Sequence, residues 1–395
     1  MSSLITLNKD YNIKVSSNIN NYLNPDYVYI PILKDYKLLV KNKEIVRKEQ
    51  VILINKENTI TCPISGVVVG MTDCVLYNGI KSRCLVIEND FKERMFKRNA
   101  SRKTLNNISF EELLEIMKNK HVYNDNNESL YDLFKEKVNT NTLIINCVED
   151  EPYIVSEEFE ARTYINEILE MISALMGILN IKNAKLVFKN IDRDNIECYN
   201  NVLGTYPNIK VVLVPDLYLL GKRNLLLKHL SIDSNKVLHL NIHDIYKLYN
   251  IIKRNRSISE KLITVSGDGV INPQVFNVKI GTNIGDLVKD NIKLKDGVSC
   301  ISNGLMAGTI VDYKKLIVTE NLQGIVFTKI KECNEIKCIK CGKCSEICPM
   351  NINPEEILHS DESKNREKCI NCGLCNYICP SYIDLCGKVR GEDHE

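Results

Sequence analysis

The sequence predicts a multidomain protein of mixed α/β and α+β type, on three observations. Short β-branched runs crowd residues 26–95, strand-like runs alternate with helical repeats between about 142 and 258, and eight of the sixteen cysteines form two runs of identical spacing near the C-terminus. At 395 residues the chain is too long for one core, and two to four domains are expected. A hydrophobic fraction of 44% and a charged fraction of 26% are those of an ordinary globular protein. The formal net charge of +2 gives no electrostatic reason to expect nucleic acid or an anionic membrane as partner. No run reaches the roughly 18 uncharged apolar residues of a membrane span. The opening MSSLITLNKDYNIK lacks the basic-then-apolar pattern of a secretory signal. The expectation is therefore a cytoplasmic chain without direct membrane insertion, any membrane association coming through a partner.

In chain order, Val28-Tyr29-Ile30, Leu38-Leu39-Val40, Val51 to Ile54, Gly66 to Val69 and Cys84 to Ile87 read as strands of a small barrel or sandwich. Asn55, Pro63, Ser65-Gly66 and Asn78-Gly79 supply its turns. Ser109 and Glu112 form a capping box that starts a helix. Thr142 to Asn146 is a buried-type strand running into Glu149-Asp150-Glu151. Ile165, Ile168, Leu169, Ile172 and Met176 then recur at helical spacing, and Leu186-Val187-Phe188 and Val211 to Val214 add strands. The basic run Lys253 to Lys261 reads as a solvated helix end. From Leu262 to Val288 the chain turns β-rich around Ser266-Gly267-Asp268-Gly269, with a short helix from Ile284 to Val288.

The cysteines carry the chemistry. Cys338, Cys341, Cys344 and Cys348 precede Pro349, and Cys369, Cys372, Cys375 and Cys379 precede Pro380, so CxxCxxCxxxCP occurs twice. Three thiolates at three-residue intervals wrap three corners of an iron–sulfur cube, and in two-cluster ferredoxins the fourth ligates the other cube. The expected sets are Cys338, Cys341, Cys344 and Cys379 for one [4Fe–4S] cluster, and Cys369, Cys372, Cys375 and Cys348 for the other. A zinc site would use two pairs separated by a long loop, which this spacing does not match. Cys333 and Cys386 fall outside both runs and read as spectators. Cys62, Cys74 and Cys84 show no metal spacing and read as structural, and the six histidines suggest no site.

The order of parts resembles the RnfC-like family, the C component of the Rnf electron-transport complex and its relatives. The landmarks are Pro63 to Val67, Leu143 to Asn146 followed by Glu149, Glu151, Pro152 and Tyr153, Val265 to Val270 with Pro273, and Asn303 to Gly308. The resemblance implies a barrel-sandwich hybrid over 1–95, a Rossmann-like flavin- and NADH-type α/β domain over 96–258, a β-grasp (SLBB-like) domain over 259–330, and a two-cluster ferredoxin-like module over 331–395. It also implies that Glu149 and Glu151 are remnants of a nicotinamide/flavin site. No lysine adjoins Ser65-Gly66, so the swinging-arm role of lipoyl and biotinyl carriers is not expected.

Three departures weigh against the flavin. Family members carry a glycine-rich loop that lets backbone N–H groups approach the flavin phosphate. Here no glycine occurs between Gly79 and Gly177, and the corresponding stretch is Val122-Tyr123-Asn124-Asp125-Asn126-Asn127-Glu128. A second segment, asparagine-valine-glycine-threonine in type, is Asn241-Ile242-His243-Asp244, and a third keeps only Tyr218 and Gly221. Loss of the usual FMN site, and of NADH oxidation with it, is therefore expected. This erosion resembles the proline reductase-associated electron-transfer branch, which implies a thiol- or selenol-dependent reductase as redox partner and makes Cys147 the candidate redox thiol. The expected function is an iron–sulfur electron carrier. The alternatives are an NADH-oxidising flavin/iron–sulfur subunit working with other Rnf subunits, and a non-catalytic structural subunit.

Overall fold

The computed structural model describes residues 5–7, 15–56, 58–96, 105–120, 122–124, 128–136, 140–330, 335–360 and 365–390. Cys333, and Asp125 to Asn127 of the glycine-free stretch, lie outside the described residues.

Residues 27–89 form two small facing sheets. One has the strand order Tyr27–Pro31, Lys81–Asn89, Gly66–Val75, Ile45–Val46, and the other Lys37–Leu38, Val51–Ile54, Thr59–Thr61. Val28, Ile30, Ile52, Leu53, Ile64 and Ile87 are buried together and fill the space between them. Cys74 and Cys84 are joined as a disulfide across the long hairpin, so these two cysteines are paired where the sequence suggested separate buried thiols.

The central unit is a four-stranded parallel sheet in the order Ile209–Val214, Asn183–Lys189, Thr142–Asn146, Val237–Asn241. Its inner strand Thr142–Asn146 is buried from Leu143 onward because apolar cores lie on both faces, while the edge strand Ile209–Val214 exposes Lys210 and Leu213. The capping box forms as the sequence indicates: Ser109 N–H donates to Glu112 Oε2 at 3.1 Å, and Glu112 N–H to Ser109 Oγ at 3.2 Å, ahead of helix Phe110–Lys120. The basic run is more tied down than a solvated end would be. Arg254 pairs with Glu167 at 2.9 Å and Lys253 with Glu170, fastening helix Ile242–Ile252 to helix Ile165–Ile178.

The third unit is a six-stranded mixed sheet around helix Ile284–Asn291. Its edge strand is Ile19–Tyr22, which runs parallel to Gln274–Lys279. The N-terminal segment thus joins the third sheet, although the sequence assigned it to the first unit. Val275 and Phe276, which it runs beside, are buried core residues. The cysteine-rich C-terminus packs four short helices, Lys343–Ile347, Pro354–His359, Leu374–Ile378 and Leu385–Arg390. Among the described residues, no helix is long and apolar enough to cross a membrane.

Candidate functional site

Each cysteine run makes the same local turn. Lys340 and Asn371 are left-handed, with φ of 53° and 51°, and Gly342 and Gly373 follow at 74° and 71°. The helices Lys343–Ile347 and Leu374–Ile378 begin directly after these glycines, so the middle cysteines face the same way as the loop thiols. Each helix ends at the fourth cysteine, because the following proline cannot continue it.

The thiols line two cavities. Cys338, Cys341, Cys344 and Cys379 line the first, together with Ile339, Ile383 and Leu385. Cys348, Cys369, Cys372 and Cys375 line the second, with Ile352, Leu374 and Val389. Each run therefore contributes its last cysteine to the other's cavity. Among the described residues, no trio of His, Cys, Asp or Glu closes around a single metal ion. Backbone N–H groups already point at sulfur, Lys340 to Cys338 and Ile352 to Cys348, both at 3.4 Å. Cys386, read from the sequence as a spectator, also borders the second cavity, and its thiol lies 3.0 Å from Asn371 Oδ1. Nothing in its spacing announced that, since it arrives on a separate helix.

The second cysteine loop is anchored to the central unit through Tyr218. The Tyr218 hydroxyl lies 2.7 Å from the Cys372 carbonyl and 3.1 Å from Glu151 Oε1. Glu151 also accepts from the N–H groups of Met306 and Ala307, at 3.0 and 3.2 Å. The Asn303 to Gly308 segment thus wraps the carboxylate and presents Met306 to the loop. Burial pushes the Glu151 carboxyl up to about 7. Tyr218 stood out in the sequence only as a survivor of a lost motif, and its reach to the cysteines is a tertiary property.

Glu149 is buried just beyond the carboxyl end of the strand Thr142–Asn146. The strand order reverses between Thr142–Asn146 and Val237–Asn241, the usual place for a ligand in such sheets. Here that place is filled by the chain's own groups. Asn146 Nδ2 donates to the Gly221 carbonyl at 2.8 Å, and Gly221 N–H donates to Asp150 Oδ1 at 2.9 Å. At the start of helix Ile242–Ile252, Asn241 N–H donates to Asp244 Oδ2 at 3.0 Å, and the capping box is reciprocal. The next residue back, His243, holds its Nδ1 2.9 Å from Glu160 Oε1. Glu149, Glu157, Glu160 and Asp244 are all buried. The Glu149 carboxyl is driven well above the ordinary range by burial, then by Glu157, Glu158 and Asp150, and its Oε2 has no hydrogen-bond partner among the described residues.

Cys147 is buried in the main core, with its thiol 3.8 Å from the Ile145 carbonyl. Burial first, and then Glu157 and Asp192, push that thiol well above its ordinary pKa. These are the surroundings of a buried hydrophobe and disfavour a thiolate. A separate cavity of about 890 Å³ opens between the three larger units, with Val122, Tyr123 and Asn124 of the glycine-free stretch in its wall. Lys247 in that wall donates to the Tyr123 carbonyl at 2.8 Å and pairs with Glu320 at 3.1 Å.

Residues 132–250 match the model of the Nuo51 FMN-binding domain, and residues 330–380 match that of the 4Fe-4S dicluster domain. The chain is 28% identical over 373 residues to the C subunit of the ion-translocating oxidoreductase complex of Buchnera aphidicola subsp. Acyrthosiphon pisum, covering 86% of this chain and 76% of that one. It is 24% identical over 360 residues to the C subunit of the proton-translocating ferredoxin:NAD(+) oxidoreductase complex of Clostridium ljungdahlii, covering 84% and 77%. Against the C subunit of the ion-translocating oxidoreductase complex of Rhodobacter capsulatus the match is 26% over 240 residues, spanning less than half of that protein (46%) and 56% of this chain. Among solved structures, an NAD+-reducing [NiFe]-hydrogenase in the air-oxidized state superposes with a TM-score of 0.47 at 11% identity, over 56% of this chain and 47% of that one.

Proposed function

The chain belongs to the RnfC-like family, and from that premise we propose that it is an electron-transfer subunit of an Rnf-type ion-translocating oxidoreductase, working with other subunits of such a complex. The observation that carries the reading is the pair of four-cysteine rings, each completed by the other run. Cys338, Cys341, Cys344 and Cys379 would hold one [4Fe–4S] cluster, and Cys369, Cys372, Cys375 and Cys348 the other. Such clusters supply one-electron chemistry at potentials tuned by hydrogen bonds to sulfur and by burial. The chain's contribution is to hold the thiolates, to direct the Lys340 and Ile352 N–H groups at them, and to exclude water with Ile352, Ile383, Leu374 and Leu385. Tyr218 fixes the second loop against the central unit.

This favours the Rnf alternative over the reductase carrier expected from the sequence, because the relatives named above are C subunits of ion-translocating complexes. The carboxyl end of the sheet does not fit a flavin phosphate, although residues 132–250 match the FMN-binding domain model. Asp244 caps the helix N-terminus that would receive an anion, and Glu149, Glu157 and Glu160 are further buried carboxyls of the same unit.

The test is made on anaerobically purified protein. About eight irons and eight sulfides per chain are expected, falling to about four in Cys344→Ser or Cys372→Ser. A wild-type chain with one tightly held zinc and no acid-labile sulfide would sink the reading. Acid-released flavin should be absent and NADH should leave the cluster absorbance unbleached. Stoichiometric flavin with NADH bleaching would instead make the chain an NADH-oxidising subunit.

A further inference from the structure

The two cysteine loops share a backbone but not a fate. The sequences are Cys338-Ile-Lys-Cys-Gly-Lys-Cys344 and Cys369-Ile-Asn-Cys-Gly-Leu-Cys375, with matching left-handed residues at the third and fifth places. In the second loop every non-cysteine position is used internally. Leu374 is 1% exposed and packs with Ile370 against Tyr218 and Leu219. Gly373 lies so close to Met306 that a Cβ there would come within 2.1 Å of its carbonyl oxygen. Asn371 faces Cys386.

In the first loop the equivalent positions face water. Ile339, the counterpart of Ile370, is 61% exposed, and a Cβ on Gly342 would meet nothing within 4 Å. Lys340 and Lys343 stand where the second loop has Asn371 and Leu374, and both are exposed, as is Lys337. Cys341 is itself exposed, so this cavity lies next to solvent. Ile336 and Tyr382 extend the apolar surface, at 53% and 62% exposure. No acid occurs from Ile336 to Ser345, and Glu335, just before it, pairs with Lys388 at 2.9 Å. Glu346 is exposed on the helix after the loop, and Glu355, on the next helix, borders the first cavity.

We propose that the first loop is a docking face for an acidic iron–sulfur protein, with Ile339 at its apolar centre and Lys337, Lys340 and Lys343 on its rim. The proposal rests on the cluster reading given above and adds to it which end meets the external partner. The second loop shows what such a loop does when it has a partner: Ile370 and Leu374 bury against one. The first loop has kept the isoleucine and replaced the leucine with a cation. Its complement is therefore a surface that accepts one apolar side chain inside a ring of carboxylates. An apolar centre with a charged rim also suits transient electron transfer, because rim charges govern encounter rate and salt dependence more than residence. The second loop, held by Tyr218 to the central unit, is then the inner end of the path.

The test measures binding of an acidic two-cluster ferredoxin to the full chain, with a cationic c-type cytochrome as the opposite-charge probe. Binding of the ferredoxin is expected at low salt and should weaken about tenfold or more on raising ionic strength several-fold. A K337E/K340E/K343E chain should lose it, and I339D should weaken it at all salt concentrations. A K34E/K37E/K41E chain, with the same charge change on the N-terminal sandwich, should bind as the parent does. The proposal is overturned if reversal of the loop lysines leaves binding unchanged, or if the parent prefers the cytochrome. Capture by vesicles containing anionic lipid through the same lysines, without ferredoxin binding, would also overturn it and make the face a membrane contact. Iron and sulfide content of the same samples reports on the cluster reading separately: a correctly loaded chain that fails to bind ferredoxin refutes the docking face alone.

Discussion

Two glycines in equivalent places differ in what surrounds them, and that difference sets the outcome of the same substitution. Alanine at Gly342, with φ of 74° and open space beyond, meets only the left-handed backbone cost of about 1 kcal/mol. Alanine at Gly373 meets that cost and also the Met306 carbonyl at 2.1 Å, so the Asn303 to Gly308 segment must shift. Gly373→Ala is expected to lower stability by about 2–4 kcal/mol. Thermal unfolding of the two variants side by side, under anaerobic conditions, checks the ranking. Equal losses would mean that the second loop does not rest on Met306.

At the scale of the element, the strand ending at Asn146 delivers Glu149, Asp150 and Glu151 together into a poorly solvated place. Burial raises Asp150 to about 6 and Glu151 to about 7, and burial together with Asp192 raises Glu158 to about 7. For an acid whose folded pKa is raised, the folded chain holds more protons than the unfolded one between the ordinary carboxylate range and the raised value. Stability therefore falls as pH climbs through that window and levels off above about 7. Glu158→Gln removes one such group, so denaturant midpoints measured from about pH 5 to about pH 7 should slope less than those of the parent. A slope unchanged by the substitution would show that Glu158 is ionised throughout. What the sequence made legible at this scale was local. The capping box at Ser109, the cysteine intervals and the missing glycines each lie within a few residues of chain. The Tyr218 contact with Cys372 joins groups 154 residues apart, and no periodicity encodes it. The acid run was visible, but its burial depends on Gly221 and Met306 arriving from other segments.

For the whole molecule, the first strand is the informative element. Ile19–Tyr22 pairs with Gln274–Lys279 across most of the chain, and Ile5 accepts a hydrogen bond from Tyr218 N–H at 2.8 Å. The domain order read along the sequence missed this, because strand pairing between distant segments leaves no local signature. Deleting residues 1–24 should therefore expose the edge of the third sheet and leave the N-terminal sandwich intact. Hydrogen exchange should show lost protection in Gln274–Lys279 while Tyr27–Pro31 keeps its own. The reverse pattern would return the segment to the first unit.

The exchange of Cys348 and Cys379 makes the two runs interdependent. Each finishes the other's ring, so removing either run would leave the other cavity without its fourth thiol. The residues between the cysteines carry no such obligation. There the two loops differ, one packed into the interior of its own protein and the other turning its cations outward.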